Sequence, residues 1–554
     1  MRKAVSILSG LFVGLTVNAQ VLLSTDFTNV THKKQELQNI WTVVNRISPE
    51  NGVNIAKGME LNVVRMIGGV NKKKNGKNVP NLEYDPCRYD SLTNTYVYNW
   101  KPLLSRIDNI RKDNIKILQL VLDQPSWAFQ HGYTFIPKGT TDNIHFREDE
   151  RVSIYGNSLP PADKKAYTDF IKAMMEKLVD TYGKSEVESW RLRIGSEIET
   201  PDHWRGTKQE FIDYFAYTEQ AVRSVLPNAK IGIHTRPPDF LYRKGKELNY
   251  KSEPFASFAK DLIEYCYDHK VRYDFWGISD YVLINNAKSR NLSTKFEELF
   301  ADLVHHPKWN KDAIIDVMEY SVVIGMAPPE PDGGNFLRCE SAHSELMNIG
   351  FTNMFYKHDA SNLQKIYRWG QREGAVDPPS IEILKTMEGK TRYETLITGK
   401  ATIDNNQLDA IFAKSKKDHD YDVLVYNVNP STLVDQKEEL VTITFTTDLA
   451  VGTVLNCRNI VYSKEQNDLQ TFLLDEPATG WVKPKWDKNG DPSRILNKDG
   501  KTAWAKFKNP NSYEFTDLKK VVTMPRKDGL KGSVVELTTT MPSYSFKKFE
   551  FSKK

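Results

Sequence analysis

Val187-Glu188-Ser189-Trp190-Arg191-Leu192-Arg193-Ile194-Gly195-Ser196-Glu197 decides the reading of the fold, together with its counterpart Ala313-Ile314-Ile315-Asp316-Val317-Met318-Glu319. Each is a short apolar run that reads as a strand and closes on a glutamate. A carboxylate at the C-terminal end of a parallel strand stands on the catalytic face of a (β/α)8 barrel. Two of them at one cleft meet the requirement of glycosidic bond cleavage, an acid for the leaving oxygen and a second carboxylate to attack the anomeric carbon or activate water. With 71 Asp and Glu in the chain, some acids fall at strand ends by chance. The surrounding sequence therefore has to support the pair.

Between residues 40 and 391, β-rich runs alternate with amphipathic helical stretches, the pattern of a parallel α/β sheet. The strand candidates are 41–47, 61–67, 115–122, 189–197, 229–234, 274–281, 313–319 and 350–356, the eight that a closed barrel demands. Glu197 then ends the fourth strand and Glu319 the seventh. Tyr167, Phe170, Ile171, Met174, Met175, Leu178 and Val179 make one helical stripe, so the two methionines read as core filler. Thr207-Lys208-Gln209-Glu210 reads as a capping box opening the next helix.

Beyond residue 392 the helical period stops, and runs such as Asp422-Val423-Leu424-Val425-Tyr426-Asn427 alternate in strand fashion between Asn, Asp, Gly and Pro turns. The expected organisation is a signal peptide at 1–19, an N-terminal segment at 20–39, the barrel at 40–391 and an all-β sandwich at 392–554. Within the N-terminal segment, 22–27 is expected to add a strand to the sandwich.

Arg2 and Lys3 precede an apolar stretch, and Val17-Asn18-Ala19 fits a small-residue cleavage site, so export to the periplasm or the cell exterior is expected. No later segment has the roughly 20 apolar residues of a membrane span. Discounting those two basic residues, the formal charge is 5 − 2 = +3, too small to argue for a nucleic-acid partner. Cys87, Cys266, Cys339 and Cys457 have no metal-ligand spacing. Neither a metal nor a cofactor is expected. Cys266, on the apolar stripe of a helix, reads as a buried thiol. No Gly-x-Ser-x-Gly elbow points to a serine hydrolase.

The run Ile194-Gly195-Ser196-Glu197-Ile198-Glu199-Thr200-Pro201-Asp202-His203-Trp204-Arg205-Gly206-Thr207 resembles the stretch around the acid/base of glycoside hydrolase family 39. There, Trp-Asn-Glu-Pro-Asn precedes an aromatic-rich turn and Gly-Thr. Val225-Leu226-Pro227-Asn228-Ala229-Lys230-Ile231-Gly232 is similar to the family's next helix-to-strand junction, and the run from Tyr273 to Tyr281 resembles its sixth strand. The resemblance implies a clan A retaining β-glycosidase, with Glu197 as acid/base and Glu319 as nucleophile. It also implies that Arg65, on the second strand, holds the nucleophile, and that Ser196 and Tyr281 face the sugar.

Four positions depart from the family pattern. Ser196 stands where the family has Asn, Ile67 and Ser279 stand where it has His, and Tyr356-Lys357-His358 occupies the place of an eighth-strand Trp. Trp127 and Trp204 follow strands three and four, where a ring can stack on sugar or join the core. Arg236, Lys357 and His358 follow strand ends and are candidates to hold an anionic substituent. Glu199 is the second candidate acid. The expected substrate is a plant or algal oligosaccharide or polysaccharide fragment, anionic or neutral, attacked from its end. Two alternatives stand beside this reading, an endo-acting glycanase and a carbohydrate-binding protein on a decayed barrel.

Overall fold

A computed structural model describes the chain from residue 21 to 553, apart from short interruptions and the stretches 44–59, 132–158, 237–248, 285–299, 325–333, 369–378, 429–437 and nearly all of 464–518. The expected leader and Ile67 lie outside the described residues. The chain divides into two units, one of residues 1–35, 390–463 and 514–554, the other of 36–389 and 464–513.

In the second unit, strands Trp41–Val43, Glu60–Met66, Ile117–Val121, Arg191–Ile194, Lys230–Thr235, Phe275–Ile284, Ile314–Ile324 and Leu363–Arg368 pair in chain order. All the pairings are parallel, and the eighth strand closes on the first with Ile366 opposite Trp41. Helices including Lys101–Arg111, Lys164–Tyr182, Lys208–Val225 and Ala259–His269 connect them. The connection at 44–59 lies outside the described residues, so the full β/α alternation is described in part.

Local chemistry explains these helices. Asp163 caps Lys164–Tyr182 by accepting from the Ala166 N–H, and Gly183, at φ 87°, ends it in a conformation that favours glycine. Thr207 and Glu210 exchange both capping-box hydrogen bonds at the start of Lys208–Val225. Of the expected stripe, Tyr167, Phe170, Ile171, Met174, Met175 and Leu178 are buried and Val179 is half-buried.

The eighth strand is not where the sequence pattern placed it. Residues 350–356 lie within the helix Gly334–Lys357, and the strand is Leu363–Arg368. Leu346, Met347, Ile349, Phe351, Met354, Phe355 and Tyr356 are all buried. A helix covered on several sides reads as a continuous apolar run, the same signal as a buried strand.

Inside the barrel Val121, Phe275, Met318 and Tyr367 form a cluster. Two glycines make room for it. A Cβ on Gly232 would sit 2.3 Å from the Phe275 ring, and one on Gly277 would sit 2.7 Å from Met318 Cε. Arg191 and Asp316 form a fully buried ion pair, and Arg191 also donates to Gln364 Oε1 at 3.3 Å.

The first unit holds a seven-stranded and a five-stranded sheet. Between them lies an apolar core that includes Leu23, Phe412, Val423, Phe445 and Phe551. Phe27 packs edge-on to Tyr393 with ring centroids 4.9 Å apart. Strand Val21–Asp26 lies in the five-stranded sheet, antiparallel to Leu396–Gly399 and parallel to Glu438–Thr447.

Candidate active site

Strand four ends at Ile194, and the next three residues turn sharply. Gly195 has φ 82° and Glu197 φ 44°, both left-handed. A Cβ on Gly195 would lie 2.3 Å from Ile198 Cγ2, so the position requires glycine twice over. A glutamate held in this region costs on the order of 1 kcal/mol, a strain that persists where surrounding structure fixes the residue.

Glu319 reaches the same place by another device. Its strand continues to Ile324, so Glu319 does not end it, contrary to the sequence reading. Pairing with strand six runs Ile278 to Val317 and then Ser279 to Glu319, which leaves Met318 as an extra, bulged residue. A bulge interrupts the alternation of sides. Met318 joins the barrel cluster, and Glu319 comes into register with Ser279.

An oxygen of Glu197, an oxygen of Glu319 and a ring nitrogen of His234 all lie within 4.8 Å of one another, and the three residues are buried. An oxygen-to-oxygen approach of this size is compatible with the separation of about 5–5.5 Å between carboxyl groups that retaining enzymes use. Among the described residues the same trio has the spacing of a cation site. Both ring nitrogens of His234 are already engaged by serine hydroxyls, however, Nδ1 by Ser196 at 3.4 Å and Nε2 by Ser279 at 2.8 Å. The trio is better suited to acid–base and nucleophilic chemistry.

Glu197 is held on one side only. Its Oε2 pairs with Arg236 Nη2 at 2.9 Å and faces His203 Nδ1 at 3.7 Å. The His203 Nδ1–H donates to the Ser196 carbonyl at 2.6 Å. Oε1 is buried and has no hydrogen-bond partner among the described residues. Arg236 is tied in turn through its backbone, whose N–H donates to Glu199 Oε2 at 2.7 Å, while the Phe258 N–H donates to Glu199 Oε1 at 3.2 Å. Burial pushes the Glu199 carboxyl up to about 7 against these two hydrogen bonds. Burial, with Arg193, His203 and Arg236 nearby, holds the His234 imidazole well below its ordinary range.

The remaining sequence candidates separate. Ser196 belongs to the centre, its hydroxyl accepting from Arg193 Nη2 at 3.0 Å. Arg236 also belongs, but paired with Glu197 and so not available in the role of anion holder. Trp204 is only 2% exposed, donates its indole N–H to the Thr207 carbonyl at 3.1 Å and packs edge-on against Phe211. It is core, not a sugar platform. Trp127 opens the short helix Trp127–Gln130 and is half-buried, with its backbone N–H on Asp85 Oδ2 at 3.0 Å.

Arg65 lies on strand two opposite Leu120, and Tyr281 on strand six opposite Ser321; both side chains lie outside the described residues. Lys357 ends a helix and does not follow a strand, and His358 lies outside the described residues. Sequence reasoning passed over His234 and His203. For His234 the signal was present: in Ile231-Gly232-Ile233-His234-Thr235 it shares the face of Gly232, whose missing side chain makes room inside the barrel. Another cleft opens at the opposite end of the barrel, among Lys230, Asp274, Asp312 and Ile314, and neither glutamate lines it.

A parallel α/β barrel with two buried carboxylates facing one another is the arrangement that glycoside hydrolases use. Comparison with known proteins narrows this. The model of glycosyl hydrolases family 39 matches residues 147–305. An α-1,4-L-rhamnosidase of Formosa agariphila is 30% identical over 475 residues, 85% of this chain and 90% of that protein. A β-xylosidase of Geobacillus stearothermophilus is 26% identical over 145 residues, 26% of this chain and 25% of that protein. Among solved structures, the family 39 enzyme of Xanthomonas axonopodis pv. citri superposes with a TM-score of 0.55 at 13% identity, covering 96% of this chain and 97% of the other. The chain belongs to glycoside hydrolase family 39, a clan A family of retaining enzymes.

Proposed function

We propose that the protein is an exported, exo-acting retaining glycosidase that removes α-L-rhamnosyl or stereochemically related units from plant or algal polysaccharide fragments. Glu319 attacks the anomeric carbon while Glu197 protonates the departing oxygen. Glu197 then deprotonates water, which hydrolyses the glycosyl-enzyme. The observation that carries this is the separation of the two carboxylates, within 4.8 Å oxygen to oxygen. Oε1 of Glu197, the oxygen with no protein donor among the described residues, is the one that exchanges the proton.

The substrate class rests on similarity and stereochemistry. Likeness to the rhamnosidase spans most of the chain, whereas likeness to the xylosidase spans about a quarter. β-D and α-L pyranosides share the absolute configuration at the anomeric carbon, so one nucleophile position serves either. The Arg236 pairing removes the main support for an anionic substituent.

The test is hydrolysis of 4-nitrophenyl α-L-rhamnoside and β-D-xyloside, with proton NMR of the first-formed sugar. Faster turnover of the rhamnoside with retained configuration is expected. Glu319→Ala should abolish turnover, and azide should partly restore Glu197→Ala. Inverted product removes Glu319 as nucleophile, and hydrolysis of the xyloside alone overturns the rhamnoside assignment.

A further inference from the structure

We infer that His234 and Ser279 are positioning residues in a hydrogen-bond chain that starts at Arg193, passes through Ser196, His234 and Ser279, and ends on the Glu319 carboxylate. The inference rests on Glu319 being the nucleophile. Its direction follows from which groups are able to donate. A guanidinium has no acceptor, so Ser196 Oγ receives from Arg193 Nη2 at 3.0 Å and keeps its own proton to give. That proton faces His234 Nδ1, at a long 3.4 Å.

His234 is completely buried, and Arg193, His203 and Arg236 surround it with positive charge, while Glu197 and Glu319 approach it from the reaction centre. Burial and the three cationic or titratable neighbours keep the ring neutral. A neutral imidazole has one N–H. With Nδ1 accepting, the proton is on Nε2, which donates to Ser279 Oγ at 2.8 Å. Ser279 then has its hydroxyl proton to give. Its register partner on the next strand is Glu319, brought there by the Met318 bulge.

Such a chain does two things for a nucleophile. It orients one carboxylate oxygen, and it supplies a donor that favours the charged form without placing a cation beside it. It also gives Ser196, in the turn after strand four, His234 on strand five and Ser279 on strand six a single joint role.

The experiment measures kcat/KM against pH for wild type, Ser279→Ala, Ser279→Thr and His234→Gln, using the nitrophenyl glycoside that wild type cleaves. Ser279→Ala and His234→Gln should lower kcat/KM about tenfold and move the acid limb of the profile up by about one pH unit, the loss of one donor to a charged group. Ser279→Thr, which keeps the hydroxyl, should restore both. Circular dichroism melts establish that each protein is folded, and Ser279→Ala alone suffices if His234→Gln does not fold. A folded Ser279→Ala enzyme with an unmoved acid limb overturns the relay. If Glu319→Ala leaves activity intact, the nucleophile assignment falls and the relay with it. Loss of activity in Glu319→Ala beside an unmoved limb in Ser279→Ala overturns the relay alone.

Discussion

Replacing Glu199 by glutamine isolates an ionisation that burial makes costly. Glu199 is 1% exposed, and its two oxygens are met by the backbone N–H groups of Arg236 and Phe258. Burial raises the carboxyl from an ordinary 4.5 to about 7. A folded-state value above the unfolded one means that the folded protein holds this proton more tightly. The resulting stability is complete below pH 4.5 and is lost as pH rises through about 7. At about 1.4 kcal/mol per pH unit, the full difference is on the order of 3 kcal/mol.

The glutamine variant never ionises and escapes that loss. Its amide offers one acceptor where the carboxyl offers two, which strips a buried N–H of its partner and costs about 1–3 kcal/mol at every pH. Glu199→Gln should therefore be less stable than wild type at pH 5, and the gap should close or reverse by pH 8. Urea unfolding at several pH values measures this, with the barrel and sandwich transitions fitted separately because a two-unit chain does not unfold as one. A wild-type-to-variant difference that stays constant from pH 5 to pH 8 refutes the account of Glu199.

Two further outcomes test the barrel itself. Gly232→Ala places a methyl group 2.3 Å from the Phe275 ring; it should destabilise the barrel by about 1–3 kcal/mol, read as a lower urea midpoint with an unchanged slope. Asp316→Asn leaves the Arg191 charge buried without its counterion and should cost about 3–5 kcal/mol. The double variant Arg191→Met, Asp316→Leu should recover most of that loss in the same assay.

The fold was legible wherever one periodicity governed a whole element. The stripe from Tyr167 to Leu178 and the capping box at Thr207 needed only local rules, and the structure shows both. The eighth strand was not legible. Helix Gly334–Lys357 is apolar on several sides at 350–356, while strand Leu363–Arg368 carries Gln364, Lys365 and Arg368 among its residues. The two glutamates were visible as residues at the ends of runs, but the bulge that aims Glu319 depends on pairing with strand six and has no sequence signature of its own. Arg236 was noticed for its charge and assigned to a ligand, whereas its partner is Glu197, 39 residues earlier. Trp204 offered the same ring to core or cleft, and only packing against Phe211 and Tyr214 decided between them.

Strand Val21–Asp26 has a consequence for the order in which the protein is made. It lies between Leu396–Gly399 and Glu438–Thr447, so that Val21 pairs with Gly399 on one side and Val441 on the other. Neither neighbour exists until the whole barrel has been synthesised. Ser545–Lys553, the last strand, likewise lies between Tyr421–Val428 and Val454–Tyr462 in the other sheet. Closing pairings this distant in sequence carries a high entropic cost before it is rewarded, so the sandwich forms late and slowly relative to the local helices of the barrel. The earliest strand must wait, and until its neighbours emerge it remains an unpaired β edge open to other chains.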